Sequence, residues 1–428
     1  MLDIIKKSIN LIPKLNKTFQ SSLYYLYLAA VSVFFLGDIF RKIAIHFECE
    51  FTRYSTVSKL VVLLIFLIFF ISNFKTYIRE DYFKKMAIAI TILTVTFILG
   101  QISLRSNISQ PLNFFLNIEY LVKYLYLPIT ILLFSSLKNE IEYVKKIICF
   151  IELIFLVNSI FILIGYSFEV NLFKTYGENR FGYIGVFSRS GQTSFFFIMF
   201  ILFYYHRLMD KITKVDVFKL VFYISLSLLL GTKRIYFFLI LLSLHYFVIH
   251  RGFKKRMTYW FIALAAFLAI FLKHRVIDAF NKVFDLFQQI YYNSGFISSL
   301  TSFRSDLFYN TINEFVLKNW SFTNYIFGGP SFQNYIFITG MDFFDLYLFF
   351  GLAGLFVYFN LFKILLDFKI QANFVLFFLF ILMITSFFSS AFLYDPYVNF
   401  LFVLMIYHFS NYEKKQNPYQ NKTHNKTK

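Results

Sequence analysis

Apolar runs close to the length that crosses a bilayer recur along the whole chain. About twelve stand out, at residues 24–39, 60–74, 86–102, 120–137, 147–168, 193–205, 217–230, 235–250, 257–272, 343–366, 372–388 and 397–409. Crossing about 30 Å of hydrocarbon takes roughly 17–25 residues once the interfacial ends are included. Lipid offers no partner to backbone N–H and C=O groups, so a span is either an α-helix or a strand of a closed barrel, and the ten-residue alternation of a barrel is absent. The pattern therefore predicts an all-α polytopic membrane protein with about 12 transmembrane helices. No small-residue cleavage site follows the first run, which reads as a span and not as a removable signal peptide.

Composition agrees. Of the 428 residues, 58% are hydrophobic and 15% charged, against about 45–50% and about 25% in soluble domains. The two cysteines, Cys49 and Cys149, cannot build a disulfide framework, since Cys149 falls inside a span. The net charge of +19 reports orientation first in a chain of this kind, and no nucleic-acid partner is expected. One set of alternate connections, containing the N-terminus, the clusters near Lys84, Lys145, Lys211, Lys254 and Lys363 and the C-terminal tail, holds about 26 of the 42 basic residues. The other set holds about 15, and Lys123 lies inside a span. The positive-inside rule then places both termini of this multi-pass protein in the cytoplasm.

Four regions follow: a nine-helix membrane region (1–272), a large outer loop (273–341), three last membrane helices (342–410) and a polar cytoplasmic tail (411–428). The loop opens as an amphipathic helix in which Val276, Phe280, Val283, Phe287 and Ile290 form one apolar stripe. A second helix is expected over 302–318, then a turn at Gly328-Gly329-Pro330.

Several cations stand on the outer side, against the positive-inside bias. Arg180 and Arg189 flank the segment that leads through Ser190-Gly191 into the sixth span, Lys233 and Arg234 occupy the tight turn Gly231-Thr232-Lys233-Arg234, and Arg304 opens the second loop helix. Guanidinium forks suit phosphate, and a pyrophosphate needs about two or three such partners. Lipid-headgroup contact is the alternative use of each. Asp342 and Asp345 share one face of the first turn of a span. Carboxylates there can accept a proton from a sugar hydroxyl, hydrogen-bond a sugar, or complement the positive helix N-terminus. Gly351 and Gly354 suit close helix packing. The seven histidines show no metal spacing, although His274 is a minor candidate base. Asp38, Lys123 and Glu152 do not line up as an ion path, and a nucleotide-binding glycine loop is missing. No metal and no cofactor are expected.

At these residues the sequence resembles the O-antigen polymerase and ligase superfamily. Three elements carry the resemblance in order: the 180–191 segment ahead of a span, the Gly231–Arg234 turn, and a large late outer loop ending in Gly328-Gly329-Pro330 and the 342–354 stretch. Arg180 and Gly191 are separated by ten residues, the spacing described for Wzy-type polymerases. No second copy starts at Arg275 or Arg304, a departure from the two-loop form. The resemblance covers residues 170–366 in detail, while the first 150 match only as membrane helices.

It implies a glycosyltransferase that moves a polyprenyl-pyrophosphate-linked glycan onto a sugar hydroxyl of a lipid-linked repeat unit, building an O-antigen or capsule at the outer face. Arg180, Arg189, Lys233, Arg234 and Arg304 would hold the leaving pyrophosphate, and Asp342 would accept the proton. A chain-length regulator and membrane lipid are the implied partners. Ligase-like members place a His before the helix that here begins with Asp342 and Asp345, which favours a polymerase. A ligase acting on lipid A–core, or a lipid-linked oligosaccharide flippase, stays open.

Overall fold

The structure, a computed structural model, describes residues 2–104, 112–138, 140–175, 181–249, 259, 273–301, 303–330, 339–366, 373–387 and 390–416. Among them the secondary structure is helical throughout, apart from one isolated antiparallel bridge between Lys174 and Tyr183.

The helices are α1 (Leu2–His46), α2 (Tyr54–Ser72), α3 (Asp81–Ser103), α4 (Leu112–Phe134), α5 (Ile141–Ser167), α6 (Ser190–Asp210), α7 (Lys214–Leu228) and α8 (Lys233–Ile249). After the undescribed stretch come α9 (Lys273–Thr301), α10 (Arg304–Asn310), α11 (Phe322–Phe327), α12 (Asp342–Leu366), α13 (Asn373–Phe387) and α14 (Pro396–Gln416). Each expected apolar run falls on one of these helices, except 257–272, which lies outside the described residues save for Tyr259. Among the described residues, six helices are long and apolar enough to cross a membrane: Phe19–His46, Tyr54–Ser72, Tyr82–Ser103, Leu116–Leu137, Ile141–Ser167 and Asp342–Leu366. The protein is therefore an α-helical membrane protein.

Its centre is built from α6 and α14. Every residue from Gln192 to Tyr205 of α6, and from Tyr397 to Phe409 of α14, is buried. Around them pack α4, α5, α7 and α13, with α1, α2, α3 and α12 closing the bundle. Aromatic contacts fill the interior: Phe66 stacks on Phe400 at 5.5 Å between ring centres, and Tyr27 sits 4.7 Å from Phe400 while its hydroxyl donates to the Phe400 carbonyl at 2.5 Å. In a membrane such contacts, and not the exclusion of water, hold helices together.

Between α8 and α12 the described residues are mostly helical. α9 breaks at Gly295, whose φ is 85°. The expected 302–318 helix appears as α10 followed by a π-helical stretch, Thr311–Val316, and one further turn. The Gly328-Gly329-Pro330 turn is buried, not exposed. Gly351 breaks α12 with a φ of 61°, and a Cβ there would lie 2.4 Å from the Ile326 carbonyl carbon and 2.6 Å from the Gly328 nitrogen. Gly100 of α3 closes the junction, where a Cβ would lie 2.7 Å from the Phe327 oxygen. Only residues without side chains allow three backbones to meet so closely. Gly351 thus permits close approach, as expected, and also interrupts its helix. At Gly354 a Cβ would collide with Phe350, one turn earlier, at 2.1 Å.

Candidate functional site: a cation cluster at the head of the bundle

Five pieces of chain converge where α1 ends and α2, α4, α6 and α14 begin. The last turns of α1 supply Asp38, Arg41 and Lys42, which share a helix face through their i, i+3 and i+4 spacing. The start of α2 supplies Ser55, Thr56 and Lys59, α4 supplies Glu119, Tyr120 and Lys123, the segment before α6 supplies Arg189, and the segment before α14 supplies Tyr394 and Asp395.

The charges are unevenly paired. Lys59 Nζ lies 3.3 Å from Asp395 Oδ2, and Lys123 Nζ lies 2.5 Å from Glu119 Oε1. Both lysines are buried, so each removes the other's desolvation cost only while its partner stays. Asp38 is saturated by uncharged donors: its Oδ1 accepts from the Ser55 and Ser188 hydroxyls at 2.8 Å, and its Oδ2 accepts from Gln192 Nε2 at 2.7 Å. Arg41 and Arg189 make no ion pair among the described residues, yet each lies within electrostatic reach of the other and of Asp38 and Asp395. Burial disfavours the charge on Arg189, but Tyr394 and the nearby carboxylates more than offset this and raise its pKa above the ordinary guanidinium value. Its guanidinium also stands over the Tyr394 ring, 5.9 Å from the centre, and Lys123 stands over Tyr120 at 4.0 Å. The cluster thus holds two forked cations close to each other and to Asp38 and Asp395.

The segment carrying Arg189 is pinned on several sides. Asn158 of α5 accepts from the Val186 and Phe187 amides at 2.8 and 3.1 Å and donates to the Ile184 carbonyl at 3.1 Å. Lys42 donates to the Gly185 carbonyl at 2.5 Å, and Asp38 holds Ser188. Gly185 has a φ of 68°, and a Cβ there would sit 2.6 Å from Asn158 Oδ1. The backbone that leads into Arg189 is therefore fixed by α1 and α5.

The other residues singled out in the sequence have distinct surroundings. Arg180 lies outside the described residues. Arg234 donates to the Gly191 carbonyl at 3.0 Å and the Ser390 carbonyl at 2.9 Å and stacks over Phe195 at 4.3 Å. A Cβ on Gly191 would lie 2.9 Å from Ser390 oxygen and from Ala391 Cβ, so this glycine lets α6 touch the 390–392 segment. Asp342 grips that segment from the other side, its oxygens accepting from the Ala391 amide at 3.0 Å and the Phe392 amide at 2.7 Å. Ala391 has a φ of 104°, a conformation that persists only when its surroundings impose it. Asp345 accepts from the Thr339 amide and hydroxyl at 2.7 and 2.8 Å and from the Gly340 amide at 3.2 Å. Arg304 lies against Gly340, where a Cβ would approach its Nε to 3.0 Å, and within electrostatic reach of Asp345. Lys233 donates to the Ser299 carbonyl and lies over the Phe287 ring at 5.3 Å. Gly328 and Gly329 are clasped by Asn324, whose side-chain amide donates to the Gly328 carbonyl at 2.7 Å and to the Gly100 carbonyl at 2.9 Å.

Two adjoining groups emerge among these residues, while Arg304 with Asp345, Lys233, and Gly328 with Gly329 have separate partners. Arg189 belongs to the cation cluster. Gly191, Arg234 and Asp342 form a knot that holds the 390–392 segment, and through it positions Tyr394 and Asp395 in the cluster. Arg41, Lys59, Glu119 and Tyr394 are members of the site that the motif-based reading did not select, and Lys123 is a member it noted only as a charge in a span. A signal for three of the cations existed in the sequence: Arg41, Lys42 and Lys59 crowd the first connection on the cation-poor side.

Among the described residues, no group of three or more His, Cys, Asp or Glu side chains could hold a metal ion. At the head of the bundle Arg41, Lys42, Lys59, Lys123 and Arg189 stand among Asp38, Glu119 and Asp395, in buried surroundings that strengthen charge–charge attraction. The chain matches no protein-family model, no curated protein and no solved structure.

Proposed function

We propose that this protein is a repeat-unit polymerase of the outer face of the bacterial cytoplasmic membrane, which transfers a glycan from polyprenyl pyrophosphate to a sugar hydroxyl on a lipid-linked repeat unit. The observation that carries the reading is the pair of guanidinium groups, Arg41 and Arg189, without ion-pair partners among the described residues, beside the carboxylate-paired ammonium groups of Lys59 near the start of α2 and Lys123 within α4. A pyrophosphate attached to a polyprenyl chain needs such a place, with cations at headgroup depth and lipid alongside. In this reading there are twelve spans, both termini are cytoplasmic, and the head of the bundle faces outward, where a chain-length regulator would act.

The glycosyl–phosphate bond supplies the driving force. As it breaks, charge develops on the pyrophosphate, and donors already in place stabilise that charge without rearranging. In this reading Arg189 is the main donor and Arg41 and Lys123 assist, while Arg180 and Arg304 keep the pyrophosphate-binding role that the resemblance implies. Asp342, Asp345 and Arg234 hold the surrounding segments in register.

The test is Arg189→Ala in cells whose own copy is deleted, with surface polysaccharide separated on a gel. Loss of the long-chain ladder, with single repeat units still reaching the surface and protein level unchanged, is the expected result, a fall of about 100-fold or more in long chains. A wild-type ladder overturns the assignment. In the full deletion, long chains accumulating on polyprenyl lipid mark a ligase, and repeat units retained on the cytoplasmic side mark a transporter.

A further inference from the structure

Joining a sugar hydroxyl to an anomeric carbon releases a proton, and the head of the bundle offers a small set of carboxylates to take it. Asp38 has both oxygens filled by Ser55, Ser188 and Gln192. Asp342 and Asp345 have theirs on backbone amides and the Thr339 hydroxyl. Asp395 accepts from the Tyr397 and Val398 amides with Oδ1 and from Lys59 with Oδ2. All four are buried. Glu48, Glu50 and Glu169 are exposed on the connecting loops.

Glu119 differs. Its Oε1 takes both neighbours, Lys123 Nζ at 2.5 Å and the Thr56 hydroxyl at 3.4 Å. Oε2 makes no hydrogen bond among the described residues, and the side chain keeps 20% of its surface exposed where the Lys123 side chain keeps 6%. It also lies within electrostatic reach of Arg189 and Arg53, and the ring of the next residue, Tyr120, stands 6.2 Å from that of Tyr394, over which the Arg189 guanidinium sits. Lys123 anchors the carboxylate from one side, leaving the other side to a ligand.

We propose that Glu119 is the catalytic base: its Oε2 receives the proton of the acceptor hydroxyl. The assignment rests on the polymerase reading above. In the step, the acceptor oxygen bonds to the anomeric carbon as the bond from that carbon to the phosphate oxygen breaks. The electron pair leaves with the pyrophosphate, and the hydroxyl proton passes to Glu119 Oε2 and then to water. An ordinary carboxylate suffices, because the hydroxyl becomes strongly acidic as its oxygen bonds to the electron-poor carbon.

The experiment uses the full-length protein in lipid nanodiscs with a polyprenyl-pyrophosphate-linked repeat unit, and reads substrate binding and transfer separately. Wild-type protein that neither binds nor transfers this substrate refutes the polymerase reading, and Glu119 with it. If wild type does both, E119Q, which keeps an oxygen for Lys123, is expected to bind within about threefold of wild type and to transfer at least about 100-fold more slowly. Azide carries no proton to be removed, so it should form a glycosyl azide with E119Q at a rate near that of wild type with azide. Transfer by E119Q within tenfold of wild type overturns the proposal, as does equal loss of the sugar and azide reactions in a variant that still binds. Should E119Q fail to fold, E119D is read by the same comparison of sugar with azide.

Discussion

The central helices α6 and α14 and the peripheral helix α2 invert the rule familiar from water-soluble proteins. α2 is apolar and leaves Leu60, Val61, Leu64, Leu67, Ile68 and Ile71 exposed, facing outward. The wholly buried helices carry Gln192, Thr193, Ser194, Asn399, His408 and Ser410, and neither is among the helices long and apolar enough to cross a membrane. Lipid solvates an isoleucine as well as a protein interior does, so an apolar residue gains little by turning inward, whereas a polar group must turn inward to find a partner. Apolarity here marks the rim, and polarity with aromatic packing marks the centre.

The largest expected effect is at the centre. Phe400→Ala removes a side chain that meets Tyr27, Phe34, Phe66 and Phe134 and should cost about 3–5 kcal/mol, read as a fall in the thermal unfolding midpoint in detergent. Gln192→Leu is intermediate. It withdraws the donor to Asp38 Oδ2 and leaves a buried carboxylate oxygen unsatisfied, for about 1–3 kcal/mol, and under the proposed polymerase function it should also slow elongation, because Asp38 holds Ser188 beside Arg189. The smallest effect belongs to Ile68→Ala on α2, 65% exposed, which should stay within about 0.5 kcal/mol. Equal losses for Phe400→Ala and Ile68→Ala would dissolve the distinction between rim and centre. A larger loss for Ile68→Ala would place α2 at a protein interface.

Helix positions were legible because the signal is local. A run such as 343–366 needs no knowledge of the rest of the chain to be read as a helix, and α12 starts one residue earlier. The break at Gly351 was not legible, since its cause is the Ile326–Gly328 backbone that arrives from another segment. Asp342 shows the same limit: its place on a helix N-terminus is written in the sequence, but its grip on residues 391 and 392 depends on α12 and α14 becoming neighbours. Arg189 was singled out from its position before a span, whereas Arg41 and Lys59 were passed over because they belong to no recognised spacing.

By itself the sequence determined an all-helical chain with membrane-crossing segments and a few cations on the cation-poor side, because backbone hydrogen bonding in lipid and the length of an apolar run are properties of single segments. Only the tertiary structure decided which of those cations meet. Lys59 and Asp395 are separated by 336 residues and pair at 3.3 Å. Charges so far apart along the chain become one site only when helix packing brings their ends together, and that packing depends on side-chain shapes from every helix at once.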